Sequence, residues 1–146
     1  MGTPFQILIG TGLLALCALL HVSAVSVGIP LIKRLAGVLT PQKWPHIRIA
    51  ALLSLALIVL VVGHTAQIWV WSVYFMHLTD LPDVATSFYF ATVTYTTLGY
   101  GDIVLDADTR IVGTFCAITG LLTFGISTAF LMGVLVRVMP DVFRDD

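Results

Sequence analysis

The chain contains no glutamate, no asparagine and only two cysteines. Without asparagine it has no acceptor for N-glycosylation. Cys17 and Cys116 each fall inside an apolar run; they make no disulfide framework and read as buried structural thiols. Charge is scarce. Charged residues make up 10% of the chain, against about 25% in an ordinary soluble domain. A net charge of −1 offers no basic surface to nucleic acid. No Lys or Arg recurs at every third position, so a voltage-sensing helix is unsupported. No Ser, His and carboxylate stand in a recognisable catalytic arrangement, so neither an enzyme nor a cofactor is expected.

Apolar residues take up the space, at 58% of 146 positions. So short a chain cannot hide that surface from water, and its expected solvent and partner is membrane lipid. Residues 5–31 carry no charge and exceed the roughly 20 apolar residues that cross a bilayer core. No Lys or Arg precedes them and the run is too long for a signal-peptide core, so they read as a spanning helix ended by Gly28 and Pro30. Residues 33–48 are polar, with Lys33, Arg34, Lys43, Arg48 and no acid. Pro41 and Pro45 punctuate this stretch, and Trp44 is its expected interfacial anchor. A short basic loop marks the cytoplasmic side.

Residues 47–74 form the second expected span. Trp69, Trp71 and Tyr74 at its far end read as the aromatic belt of the outer interface. Residues 84–95 are apolar and rich in hydroxyls, but 12 residues of helix reach only about 18 Å. They are expected to dip into the membrane and return, with Asp83 or Thr86 capping the outer end. Residues 111–138 are the last span, ended by Pro140 ahead of the tail 141–146. Asp80, Asp83, Asp102, Asp106 and Asp108 then lie outside against Arg110 alone. The expected fold is an all-α membrane protein with three transmembrane helices and a re-entrant helix and loop. Its N-terminus is expected outside and its C-terminus in the cytoplasm.

Between the short helix and the last span lies Thr96-Thr97-Leu98-Gly99-Tyr100-Gly101-Asp102. Irregular backbone at membrane depth is tolerated only where it is buried or lines a watery path. Carbonyls along a strand normally alternate in direction. Aiming several at one axis requires positive φ, which glycine adopts cheaply. Gly99 and Gly101 alternate with Leu98 and Tyr100 in the required way, and Thr97 adds a hydroxyl at the inner mouth. Leu98 and Tyr100 are expected to wedge against the short helix. The C-terminal end of that helix points at the pore and favours a cation there. Asp102 at the outer mouth concentrates cations.

This stretch resembles the T-x-G-Y-G-D signature of tetrameric potassium channels, and Gly120-Leu121-Leu122-Thr123-Phe124-Gly125 resembles the glycine-bearing inner helix of bacterial two-transmembrane potassium channels. The likeness runs over about residues 47–138. It implies a pore domain at 47–140, preceded by an extra helix and basic loop at 1–46 and followed by the tail at 141–146. It implies a homotetramer in the plasma membrane, in particular a bacterial inner membrane, that passes potassium ions. Thr97, Leu98, Gly99 and Tyr100 would coordinate potassium, supported by Thr96, Gly101, Asp102 and Tyr89. Tyr89 stands ten residues before Gly99, where some relatives place a Trp bonded to the filter Asp, so a Tyr89–Asp102 bond is expected. Gly120 or Gly125 would be the gating hinge, unless it serves close helix packing. Two residues depart from the family. Leu98 replaces the commoner Val, and Val93 stands where one branch has a Glu.

Leu121, Phe124, Thr128, Met132 and Val136 recur at helical spacing and are expected to line the inner cavity, with Met132 and Val136 as an apolar constriction. His64 and Gln67 share one face of the second span, within possible reach of His21. His21 and His64 read either as a proton sensor or as a hydrogen-bonded packing pair. Potassium conduction is the expected function. The alternatives are a weakly selective cation channel, a pore subunit needing a partner, and a non-conducting membrane scaffold.

Overall fold

The computed structural model describes residues 2–39 and 45–139. Four helices follow in order: α1 (Thr3–Val38), α2 (Pro45–Leu78), α3 (Val84–Tyr95) and α4 (Arg110–Val138). No strand occurs among the described residues. The protein is an all-α membrane protein. Three helices, α1, α2 and α4, are long and apolar enough to cross a bilayer. At 36, 34 and 29 residues, they rise about 54, 51 and 44 Å, beyond a core of about 30 Å. Helix α3 has 12 residues and cannot span. Trp44, Lys43, Pro41, Pro140 and the tail 141–146, all assigned roles from the sequence, lie outside the described residues.

The first helix is longer than expected. Gly28 and Pro30 do not end it, and it runs to Val38 with Pro30 inside and Lys33 and Arg34 still helical. Gly28 serves packing: a Cβ there would meet Val59 at 2.8 Å. Proline costs a helix one hydrogen bond, which packing against neighbouring helices offsets.

Helix α1 packs on α2 and α4 of its own chain. Its buried residues are Gln6, Gly10, Cys17, His21 and Gly28, spaced alternately four and seven apart along one stripe. Small residues on this stripe let helices approach closely. A Cβ at Gly10 would fall on the Phe115 ring, and the α2 glycine Gly63 faces His21. Gln6 fastens the outer end: its Nε2 donates to the Ala107 carbonyl and its Oε1 accepts from the Ile111 amide, both at 3.2 Å. It thus takes up an N-terminal amide of α4 for which the N-cap Thr109 makes no side-chain bond.

One part of the expected aromatic belt is corrected. Trp71 is fully buried and Tyr74 nearly so, packed with Phe75 inside the core cluster that also holds Cys17, Ala91, Tyr95 and Cys116. On α2, residues 67, 71, 74 and 75 share the inward face. Only Trp69 points away, and its ring lies 4.8 Å from Phe88. Both cysteines are free and buried, as expected of structural thiols.

Candidate functional site

The site grows from the two ends of α3. Asp83 caps the start: its carboxylate accepts from the Thr86 amide at 2.8 Å and the Thr86 hydroxyl at 3.2 Å. That amide holds the Asp83 carboxyl below the usual carboxylate range. At the other end the chain leaves the helix through Thr96, whose hydroxyl bonds back to the Thr92 carbonyl at 2.8 Å.

The next residues adopt an alternating backbone. Thr97, Gly99 and Gly101 have φ of +60°, +51° and +78°, while Leu98 and Tyr100 stay on the ordinary side. The two glycines behave as their spacing requires. Thr97 was not foreseen in this conformation, which costs a side-chain-bearing residue about 1–2 kcal/mol. Its amide is held by the Thr94 carbonyl at 3.0 Å. The amides of Leu98 and Gly99 both return to the Val93 carbonyl, at 2.9 and 3.3 Å. Among the described residues, no backbone hydrogen bond ends on the carbonyls of Thr97, Leu98, Gly99 or Tyr100. Four consecutive acceptors are therefore left for something other than the chain itself.

Tyr89 and Asp102 meet as expected. The Tyr89 hydroxyl donates to the Asp102 carboxylate at 2.7 Å, and this bond holds the phenol above its ordinary range. Replacing Tyr89 by Phe is expected to shorten the open-state lifetime. Single-channel recordings of the variant check this, and unchanged dwell times would show that the bond supports nothing. On this single chain Leu98 and Tyr100 are 55% and 67% exposed.

The glycines of α4 differ. A Cβ on Gly120 would land on the Tyr95 carbonyl oxygen, whereas one on Gly125 meets nothing within 4 Å. Gly120 is thus where α4 touches the foot of the filter segment. Leu121, Thr128, Met132 and Val136 share the face of α4 turned away from the chain's own core. Phe124 leans from that face toward α2 and α3, with its ring 4.6 Å from His64 and 5.7 Å from Tyr95.

His21, His64 and Gln67 come together, and they do so around three residues that sequence reasoning missed: Tyr95, Thr123 and Ser127. Gln67 Nε2 donates to His21 Nδ1 at 2.8 Å and to the Gly63 carbonyl at 3.1 Å. His21 Nε2 and His64 Nε2 lie 3.0 and 2.9 Å from the Ser127 hydroxyl. His64 Nδ1 lies 2.8 Å from the Tyr95 hydroxyl, which also reaches Gln67 Oε1 at 3.2 Å and Thr123 at 2.7 Å. Available signals were Thr119, Thr123 and Ser127, hydroxyls four apart on an apolar helix. Among the described residues, no three His, Cys or Asp side chains gather as metal ligands.

Comparisons with known proteins bear on this geometry. Potassium voltage-gated channel subfamily A member 7 of Homo sapiens is 45% identical over 51 residues, 34% of this chain and 10% of that one. Subfamily A member 6 of Mus musculus is 40% identical over 60 residues, 38% of this chain and 11% of that one. The chain thus spans about a tenth of the length of these curated relatives. No solved structure matches it. The family model described as "Ion channel" matches residues 55–137, more than half of the chain. With three helices able to span a membrane, and a re-entrant segment that presents a row of free carbonyls, the chain belongs to the ion channel family.

Proposed function

We propose that this ion channel conducts potassium selectively through a homotetrameric pore. The observation that carries the reading is the backbone of residues 97–101, with alternating positive φ and no chain partner for four successive carbonyls. Such a row can replace the hydration shell of a permeating cation. Thr97, Leu98, Gly99 and Tyr100 are the proposed ligands. One strand cannot encircle an ion, so four copies around an axis are needed. The exposed Leu98 and Tyr100 side chains then have neighbouring copies to pack against. Leu121, Thr128, Met132 and Val136 face the same way and line the cavity below. The ion is cargo that moves down its gradient.

Asp83, Asp102, Asp106 and Asp108 cluster at the filter end of the chain, while Lys33, Arg34 and Arg48 lie at the opposite helix ends. A short basic loop faces the cytoplasm, which puts the filter outside, the N-terminus outside and the C-terminus inside. A bacterial inner membrane is the proposed location. Purified protein in liposomes is expected to take up rubidium and potassium well ahead of sodium. Comparable sodium uptake would favour a weakly selective cation channel, and no uptake at all a scaffold or a subunit needing a partner.

A further inference from the structure

The polar cluster beneath the filter is fixed in orientation at Gln67. Only the amide nitrogen of Gln67 can donate to the Gly63 carbonyl, because an oxygen there would face another oxygen. Gln67 therefore also donates to His21, and His21 Nδ1 must be the acceptor. A neutral His21 then carries its hydrogen on Nε2 and donates it to Ser127. Ser127 meets His64 Nε2 and also donates to the Thr123 carbonyl at 2.8 Å, His64 Nδ1 meets the Tyr95 hydroxyl, and Tyr95 donates to Gln67 Oε1. The circuit closes on the residue where it began. Its five links measure between 2.8 and 3.2 Å. Thr123 meets the Tyr95 hydroxyl at 2.7 Å from outside the circuit.

The circuit joins all four helices: His21 of α1, His64 and Gln67 of α2, Tyr95 of α3 and Ser127 of α4. Tyr95 is the last residue of α3, two before Thr97. Its side chain is held by the circuit and its carbonyl rests on Gly120. The Val93 carbonyl, two residues back, holds the amides of Leu98 and Gly99. A displaced Tyr95 therefore carries the inner carbonyls with it. His21 lies outside the residues 55–137 that the ion channel family model covers, so this tie comes from a helix added to the pore.

We propose that α1 is a working part of the filter, with His21 as a positioning residue that closes a five-membered side-chain ring and fixes Tyr95 beneath the inner carbonyls. This rests on the reading that residues 97–100 conduct potassium. The ring also has no place for a second proton on His21, since an N–H at Nδ1 would point at the Gln67 N–H. Besides His21, the titratable groups of this core are His64 and Tyr74 from α2, Tyr95 from α3, Cys17 from α1 and Cys116 from α4. The buried residues of the described chain include no Asp, Lys or Arg to compensate a charge.

The test is rubidium and sodium uptake into liposomes by the full chain. It is run at neutral pH. His21→Leu and Tyr95→Phe are each expected to lower the rubidium-to-sodium ratio about tenfold, the effect of one hydrogen bond of roughly 1.4 kcal/mol. Because one broken link opens the whole ring, the double variant should be no worse than either single one. His21→Gln supplies an acceptor and a donor in the same order. It should keep the neutral-pH ratio. The ring is overturned if the single losses add, if His21→Gln is as damaging as His21→Leu at neutral pH, or if assembled variants keep the wild-type ratio. Should His21→Leu not assemble, Tyr95→Phe and His21→Gln decide alone. A wild type without rubidium preference would instead sink the conduction reading.

Discussion

Gly99→Ala is expected to abolish potassium flux while the protein still assembles. Gly99 sits at φ +51°, where a side chain costs about 1 kcal/mol or more per copy. Its amide is held only by a 3.3 Å bond to the Val93 carbonyl. The easiest relief is therefore to rotate the adjacent peptide, which swings a carbonyl off the ion path. Thr97 tolerates a similar φ because its amide has a firmer bond, 3.0 Å to Thr94. Four copies bring the combined cost to roughly 4 kcal/mol, on the order of a thousandfold in flux. Assembly should survive, because a Cβ on Gly99 meets nothing within 4 Å on its own chain. Rubidium uptake measured beside the oligomer's elution volume checks both halves. Undiminished flux would mean that these carbonyls do not line the path.

Gly120→Ala should fail for a different reason, in folding. The added methyl falls on the Tyr95 carbonyl oxygen, which is backbone and cannot swing aside. Overpacking of this kind costs about 1–3 kcal/mol, and more where the obstacle is rigid. The expected result is a lower unfolding midpoint in detergent and poor recovery of assembled protein. Gly125→Ala is the comparison, since its methyl meets only open space on the chain. It should assemble normally, and any change in open probability would then mark Gly125 as the hinge. A Gly120→Ala protein of wild-type stability with altered gating would return the hinge to Gly120.

Much of the architecture is readable from the sequence because the bilayer imposes it. Span length, the 12-residue helix too short to cross and the Gly99–Gly101 alternation are each dictated by simple geometry. The Asp83 cap and the Tyr89–Asp102 bond follow from spacing and from the family likeness. What escapes is tertiary. Whether Pro30 ends α1 depends on Val59 packing against Gly28, 31 residues away. Trp71 looks like an interfacial anchor by type, but its place on the inward face of α2 decides otherwise. His21, His64 and Gln67 were visible as polar residues in apolar helices. The members that close their ring, Tyr95 and Ser127, look unremarkable until the helices are brought together.

The way α1 is tied down bears on how the protein is made. His21 and Ser127 are 106 residues apart, and Gln6 reaches its two α4-side partners over 101 and 105. During synthesis α1 enters the membrane long before α4 exists. Until then His21 Nε2 waits without Ser127, in a solvent that offers no substitute. The first helix thus acquires its final place only when the last one arrives. Before that it is held by α2 alone, through Gln67 and the glycine contacts.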